Sequence, residues 1–435
     1  MTSLGTLLRP GMTVALSDGA GMPRGEVLRE LSAAAARAGG VRLFLGWCPC
    51  IPEGLDLAAF TDISTIMGGY GLRKAIDAGR IRYLPARLGA VPALLHDVIR
   101  PDVLIAPVTS GEGGHRFTTE VAWMRAAVRS GATVAGVPRP GPCCDAGPPI
   151  PPERLVLLGS RSDGPGEVAW PEPSDRQRAI AERVATLIPS GARLQFAPGG
   201  IGTALPRILG RSVFVDTGII TPGVMELESR GLLLGTPVAP YLAGGADLYR
   251  WADGRPMLHP VEITHDPSRL AAAPPLVAVN TALQIDRDGQ VNVESIGDSA
   301  VAGVGGQPDY MFSAARAAGG LSILALPTRH AGRSTMVGSL DAPASTPSHD
   351  IDVVVTETGV ADLRGLDRAE RRRALADLWS AAPAPAERAL AERAPADRAV
   401  PAGDGPARPE DGAAGRVYEA ARRPAGTVVR AGAEA

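Results

Sequence analysis

The sequence predicts an α/β protein made of two open α/β domains, each built on a parallel sheet, with a structureless tail. Three observations carry this. Apolar runs of strand length alternate with amphipathic helical runs nearly from the first residues, the signature of strand–helix–strand units. Seven prolines between 138 and 152 then interrupt the alternation, at a density that sustains neither a helix nor a central strand. The alternation resumes beyond residue 174 and stops near Trp379.

The first domain is expected over residues 1–174. Thr13–Leu16 reads as its first strand, 19–23 as a glycine turn, 25–38 as a helix and 41–45 as the next strand. Further strands are expected at 81–84, 103–108 and 133–137, with helices at 91–99 and 119–129. A loose stretch, 162–174, leads into the helix Asp175–Leu187, which opens a second domain over 175–380. Its strands are expected at 194–196, 213–216, 276–279, 322–325 and 353–356. The last helix, 367–379, starts with Asp367 and Glu370 three apart, an N-cap and its reciprocal partner. In the tail, 381–435, 32 of 55 residues are Ala, Pro or Gly and Tyr418 is the single aromatic, so there is too little to bury and disorder is expected.

Composition excludes several function classes. A net charge of −2, from 44 basic and 46 acidic residues, gives no field to attract a polyanion, so nucleic acid is not the expected partner. No run of eighteen uncharged apolar residues appears, and the first residues lack a signal-peptide pattern; the expectation is a cytoplasmic protein without a membrane partner. Cys48 and Cys50 form a Cys-x-Cys and Cys143 and Cys144 an adjacent pair. Neither has structural-zinc spacing, so reduced thiols and no metal are expected. Lys74 is the only lysine, so a Schiff base or a P-loop would have to use it, and it lies in a helical run that reads as surface.

Leu194-Gln195-Phe196-Ala197-Pro198-Gly199-Gly200-Ile201-Gly202-Thr203 is a strand, a glycine loop and a helix start in that order. Gly200 and Gly202 would let a ligand approach the backbone, and the unpaired N–H groups of a helix start favour negative charge. A dinucleotide fingerprint is one reading, although Leu205 stands at its third glycine; a structural tight turn is another. A second cluster, Gly303-Val304-Gly305-Gly306-Gln307-Pro308-Asp309, follows Gly289-Gln290-Val291-Asn292-Val293-Glu294-Ser295-Ile296-Gly297. These loops, with Asn292, Gln307 and Asp309 as polar handles, suit either a grip on an extended polar ligand or a pair of hairpin turns.

The run Asn280-Thr281-Ala282-Leu283-Gln284-Ile285-Asp286, then Gly289-Gln290-Val291-Asn292, Glu294-Ser295-Ile296-Gly297, Gly303 to Gly306 with Gln307 and Asp309, Ala325-Leu326-Pro327 and Val353-Val354-Val355-Thr356-Glu357-Thr358-Gly359-Val360-Ala361-Asp362-Leu363-Arg364-Gly365 together resemble the acetyl-CoA hydrolase/transferase family, most of all its 4-hydroxybutyrate CoA-transferase branch. The likeness is weaker through 8–138, clearest there at Gly71-Leu72-Arg73-Lys74-Ala75, and ends near Trp379, short of the family's His-Pro-Asp-Phe-Arg element. It implies two open α/β domains of CoA-transferase type with the active site between them, and acyl-CoA as substrate. It also implies a ping-pong exchange in which a glutamate carries CoA as a thioester, one difficult step divided into two easier ones.

That glutamate stands in the family's Gly-Ile-His-Ser-Glu-Met stretch, before a Gly-Val-Val-Asp-Leu run. Counting back from Gly223-Val224-Met225-Glu226-Leu227 places Gly218 at its position. Asp216 is the nearest carboxylate that a shifted register offers as a substitute, with ordinary loop hydrogen bonding as the alternative. Glu226 and Glu228 read as a solvated helix face. Glu294 occupies a polar or acidic family position beside the CoA loops, and His330 is a better acid–base candidate than His115. No Gly-x-Ser-x-Gly elbow supports a serine hydrolase.

The resemblance therefore implies an acyl-CoA enzyme acting by non-covalent acyl transfer or thioester hydrolysis, with catalytic candidates Gly218, Asp216, Glu294 and His330. Gly200, Gly202, Asn292, Gly303, Gly305, Gly306 and Gln307 are the expected CoA-binding residues. No bound cofactor is expected: coenzyme A enters as a thioester substrate, and the acceptor is a carboxylate, water or another small nucleophile. A homo-oligomer, in its simplest form a homodimer, is consistent with this. A conventional transferase using Asp216, a non-catalytic CoA-binding homologue and, more distantly, a dinucleotide-binding oxidoreductase are the alternatives.

Overall fold

The computed structural model describes residues 3–381 apart from 50–51, 142 and 160–163, so the tail beyond Ala381, for which disorder is expected, lies outside the described residues. The first half forms a sheet of eight strands: β1 (Thr13–Leu16), β2 (Arg42–Leu45), β3 (Asp62–Thr65), β4 (Arg82–Tyr83), β5 (Val103–Gly111), β6 (Gly114–Arg116), β7 (Thr133–Pro138) and β8 (Leu155–Leu157). Their order is β4-β3-β2-β1-β5-β7-β8, all parallel, with β6 folded back antiparallel on β5. Strands covered on both faces read as continuous apolar runs, which is why β1, β5 and β7 are legible in the sequence. The chain moves outward from β1 to β4 and then crosses to the other side of β1 with β5. A reversal of this kind opens a crevice at the carboxyl ends of the two strands.

The helix Glu26–Ala38 covers this sheet through Val27, Leu28, Leu31, Ala34 and Ala35, an i, i+3, i+4 stripe that is wholly buried, and it stops at Gly39 in a positive-φ conformation. Two elements depart from expectation. The helix expected over 119–129 begins only at Met124, because 119–122 run alongside 240–242 instead: Leu242 N–H donates to Thr119 O (3.0 Å) and Val121 N–H to Pro240 O (3.0 Å). The helix expected over 91–99 is an α-turn, Val91–Leu94, continued by a π-turn, Leu95–Ile99.

The second half adds β9 (Arg193–Phe196) and β10 (Phe214–Val215), then a short parallel ladder of β11 (Ile219–Ile220) with β12 (Tyr241–Leu242), and β13 (Leu276–Asn280). The small strands β14 (Gln284–Asp286), β15 (Val291–Asn292), β16 (Ser295–Ile296) and β17 (Ser299–Ala300) follow, then β18 (Leu321–Ala325), the hairpin β19 (Arg329–His330) and β20 (Arg333–Ser334), β21 (Met336–Val337), β22 (Val353–Val355) and β23 (Val360–Asp362). Six strands make the main sheet, in the order β10-β9-β13-β18-β22-β23, parallel except for β23. Strand order reverses here between β9 and β13. One continuous apolar cluster runs from Ala15 and Phe44 of the first sheet to Leu194 and Val355 of the second. Among the described residues no helix is long and apolar enough to cross a membrane.

Candidate functional site

At the reversal between β9 and β13, where the carboxyl ends of adjacent parallel strands part, the structure opens a cleft of about 270 Å³. Phe196–Gly202 form one wall, 279–283 the other, and Gln177, Ile296, Ala325, Pro327, His330 and Thr335 complete it. Beneath it Gln195 and Asn280 exchange side-chain amide hydrogen bonds, Nε2 to Oδ1 at 3.2 Å and Nδ2 to Oε1 at 2.8 Å, which lock the two strands at the point where they diverge. The helix Gly200–Ile208 begins at the cleft wall. Its N-cap, Gly199, has φ +121° with open space around its Cβ position and no side-chain cap, so backbone N–H groups of the first turn are left for a ligand.

The other glycines of this loop have packing reasons of their own. A Cβ on Gly200 would collide with the Gln177 carboxamide, and one on Gly202 with the Ala197 carbonyl. Both residues still line the cleft. A second cleft, about 310 Å³, lies beside Thr203, Thr221 and Glu226; its Arg207 is engaged by Glu172 and Glu226.

Gly218 lies between β10 and β11, half-buried. Thr217 before it donates to Phe196 O (3.1 Å), which ties this segment to the cleft wall. Its φ lies outside the left-handed region, and a Cβ there would meet nothing nearer than Tyr310 Cε2 at 4.0 Å. Asp216 is not presented to the cleft. It is 3% exposed, and both its oxygens are taken by Arg269 (2.7 and 2.9 Å), with Arg193 also on Oδ2 (3.3 Å). Of the other carboxylates, Glu226 pairs with Arg207 and Glu228 with Arg255.

The second glycine cluster joins the two halves of the chain. Glu294 accepts from Tyr83 Oη (2.6 Å) on one oxygen and Ser345 Oγ (2.7 Å) on the other, so both are occupied; burial first, and the hydrogen bond to the Glu294 carboxyl with it, push the Tyr83 phenol well above its ordinary range. Asn292 is fully buried, its carboxamide donating to Gln284 Oε1 and Ser295 O and accepting from the backbone of Glu294 and Ser295. These contacts make Glu294 and Asn292 organisers of the loop. A Cβ on Gly303 would strike Met67, and one on Gly306 the His265 ring, while Gly305 takes φ +63° and its carbonyl accepts from Leu88 N–H (2.9 Å). Gln307 donates to Thr346 Oγ1 (3.4 Å). None of these six residues, Asn292, Glu294, Gly303, Gly305, Gly306 and Gln307, lines the cleft around Gly199. Gly289 and Gly297 are turn glycines of the β14·β15 and β16·β17 hairpins.

His330 is exposed on the hairpin at the cleft rim, and His115 sits on β6 beside Ser110 Oγ (3.1 Å). Lys74 is exposed. Burial pushes the Cys143 thiol up to about 11 and that of Cys144 up to about 12, so neither is a ready thiolate; Cys50 is outside the described residues. Among the described residues no group of three or more His, Cys, Asp or Glu stands together as a metal site.

Sequence reasoning missed two buried groups. His265 and Tyr310 meet edge-on, centroids 4.9 Å apart, with His265 Nε2 and Tyr310 Oη unpartnered; burial holds the imidazole neutral, its pKa down to about 3. Asp18 and Glu120 are buried together in the first half, and desolvation raises them to about 6 and about 7. Neither group carries a local motif; each is assembled from distant segments.

Comparison with known proteins identifies the chain as an α/β enzyme of an acyl-CoA-handling family. The model of the acetyl-CoA hydrolase/transferase C-terminal domain matches residues 244–391. The 4-hydroxybutyrate coenzyme A transferase of Clostridium kluyveri is 30% identical over 326 residues, 70% of this chain and 76% of that protein. The acetyl-CoA hydrolase of Yarrowia lipolytica is 35% identical over 104 residues, 22% of this chain and 19% of that protein. In fold, RipA from Yersinia pestis superposes with a TM-score of 0.76 at 22% identity, over 87% of this chain and 96% of that one. The 4-hydroxybutyrate CoA-transferase of Porphyromonas gingivalis does so with a TM-score of 0.67 at 23% identity, over 90% and 96%. The chain belongs to the acetyl-CoA hydrolase/transferase family of acyl-CoA transferases and hydrolases.

Proposed function

We propose that this enzyme binds an acyl-CoA thioester in the cleft between β9 and β13 and passes the acyl group directly to water or a small acceptor, without a glutamyl-CoA intermediate. The observation that carries this reading is Gly218: the position aligned with the family's glutamate has no side chain, and the nearest substitute, Asp216, has both oxygens committed to arginines. The free N–H groups at the start of the helix Gly200–Ile208 support the placement of the thioester. Donors aimed at a carbonyl oxygen stabilise the negative charge that develops during attack. Gly200 and Gly202 belong to this wall, and His330 at the rim is the polar side chain best placed to meet the ligand as it enters. The glycines 303, 305 and 306, with Gln307, act in this reading by holding the two domains, 1–174 and 175–380, against one another.

Isothermal titration with acetyl-CoA and with NAD, run beside a thiol-release assay, tests the reading. Acetyl-CoA should bind and release thiol with sequential kinetics. NAD binding without acetyl-CoA binding would overturn it, and acetyl-CoA binding with no turnover toward any acceptor would leave a CoA-binding protein.

A further inference from the structure

We propose that the cleft between β9 and β13 selects an unsubstituted aliphatic acyl chain of medium length, and that Leu283 and Ile296 set that length. The proposal rests on the acyl-CoA reading above and names the acyl group that reading leaves open.

The lining of the cleft grades from polar to apolar with depth. Thr281 and His330 are exposed at its mouth, whereas Phe196, Val279 and Ala325 are only 1–3% exposed. Ile296 is 7% exposed and Leu283 half-buried, yet neither joins any of the three apolar clusters found among the described residues. Apolar side chains of a core pack on one another. Two large ones that line a cleft and belong to no cluster leave apolar surface for a ligand to cover.

The polar side chains of the lining are engaged by the protein itself. Asn280 and Gln195 exchange both of their amide bonds. Thr335 Oγ1 donates to Pro327 O (2.6 Å) and accepts from Trp379 Nε1 (3.3 Å), and Gln177 Oε1 accepts from Ser174 N–H (2.9 Å). Among the described residues no Asp, Glu, Lys or Arg lines the cleft. A carboxylate at the far end of the acyl group would therefore give up its water with no cation to meet. An alkyl chain gives up nothing and gains about fourfold in affinity per buried methylene, the equivalent of about 0.8 kcal/mol.

The volume fixes the scale. At about 30 Å³ for a group the size of water, the cleft of about 270 Å³ holds about nine such groups. With the thioester carbonyl against the N–H groups beside Gly199 and the sulfur toward the mouth, about five or six of these places remain for chain carbons. A hexanoyl group fills them, whereas acetyl supplies a single methyl.

The test is kcat/KM for thiol release, with affinity by calorimetry, across acetyl-, butyryl-, hexanoyl-, octanoyl-, decanoyl- and succinyl-CoA. Both quantities should rise about fourfold per added methylene as far as hexanoyl and should rise no further by decanoyl. Succinyl-CoA should stand about tenfold or more below butyryl-CoA. Leu283→Phe should move the optimum toward butyryl and Leu283→Ala toward decanoyl, whereas a merely structural role would lower every chain length alike. Ile296→Val, which opens the same wall by one methyl, should also favour longer chains and serves where a Leu283 variant does not fold. A wild-type profile that is flat or falls from acetyl to hexanoyl overturns the proposal, and so does an optimum that stays in place in the folded variants. Absence of both binding and thiol release with every thioester of the series overturns instead the acyl-CoA reading on which the proposal stands.

Discussion

Arg269 closes on Asp216 with both terminal nitrogens, Nη1 to Oδ2 at 2.7 Å and Nη2 to Oδ1 at 2.9 Å, while Arg193 reaches Oδ2 at 3.3 Å. The arginines in turn donate to backbone carbonyls of 263–264, 269–270, 272 and 274, so the aspartate knots β9, β10 and the chain before β13 together. Asp216→Ala strands two partly buried cations and should cost about 3–5 kcal/mol by chemical denaturation. Incubation with acyl-CoA followed by hydroxylamine or borohydride trapping should leave Asp216 unmodified in the wild type; a CoA adduct on it would restore the covalent mechanism.

Gly218→Glu should fold. The φ of Gly218 lies outside the left-handed region, and its Cβ position is free to 4.0 Å, where Tyr310 begins, so a glutamate enters without backbone strain. We expect a midpoint within about 1 kcal/mol of wild type and the appearance of a trappable glutamyl-CoA thioester with transfer to acetate. A folded variant with no adduct would show that the rest of the family's covalent site is also gone.

Gly305 and the cleft wall separate two sources of weakened binding. At φ +63° a side chain is strained whatever the space around it, so Gly305→Ala should lose about 1–2 kcal/mol of stability. Gly305→Val should lose more, through the backbone. Ala282→Trp, in the cleft wall, should instead weaken acetyl-CoA binding tenfold or more while the melting temperature changes by only a few degrees. Unchanged affinity in that variant would move the thioester elsewhere.

Two buried groups give stability opposite dependences on pH. Glu120, raised from 4.5 to about 7, binds a proton in the native state that the unfolded chain has released. Its contribution is fully present below 4.5 and is lost as pH rises through about 7. His265, lowered from 6.5 to about 3, contributes fully above 6.5 and loses that contribution as pH falls toward 3. In denaturation midpoints taken across pH, Glu120→Gln should remove a decline toward alkaline pH and His265→Gln a rise from the acid side. A Glu120→Gln profile parallel to wild type would mean that Glu120 is ionised throughout.

Local signals were read well wherever the cause of an element lies within a few residues. The helix Asp175–Leu187 has the bounds its periodicity gives it. Asp367 and Glu370 bond reciprocally, Glu370 N–H to Asp367 Oδ1 and Asp367 N–H to Glu370 Oε2, both at 2.8 Å. Strand β3 escaped notice because Asp62, Ser64 and Thr65 look polar, yet Ser64 and Thr65 are buried once β2 and β4 flank them. The segment 119–122 has the composition of a helix start and is extended because 240–242 supply its backbone partners.

What the sequence by itself determined is the α/β class, the order of most elements, the glycine loop entering a helix at Gly199, and the family to which the chain belongs. These rest on periodicity, caps and ordered motifs, all written along the chain. Only the tertiary structure decided that Asp216 is bound by arginines, that Glu294 and Asn292 organise a loop, and that Asp18 and Glu120 are buried together near the end of β1. Each of these depends on which distant groups exclude water from a side chain and which donors reach it. Desolvation and hydrogen-bond partnership arise only when the segments are packed together.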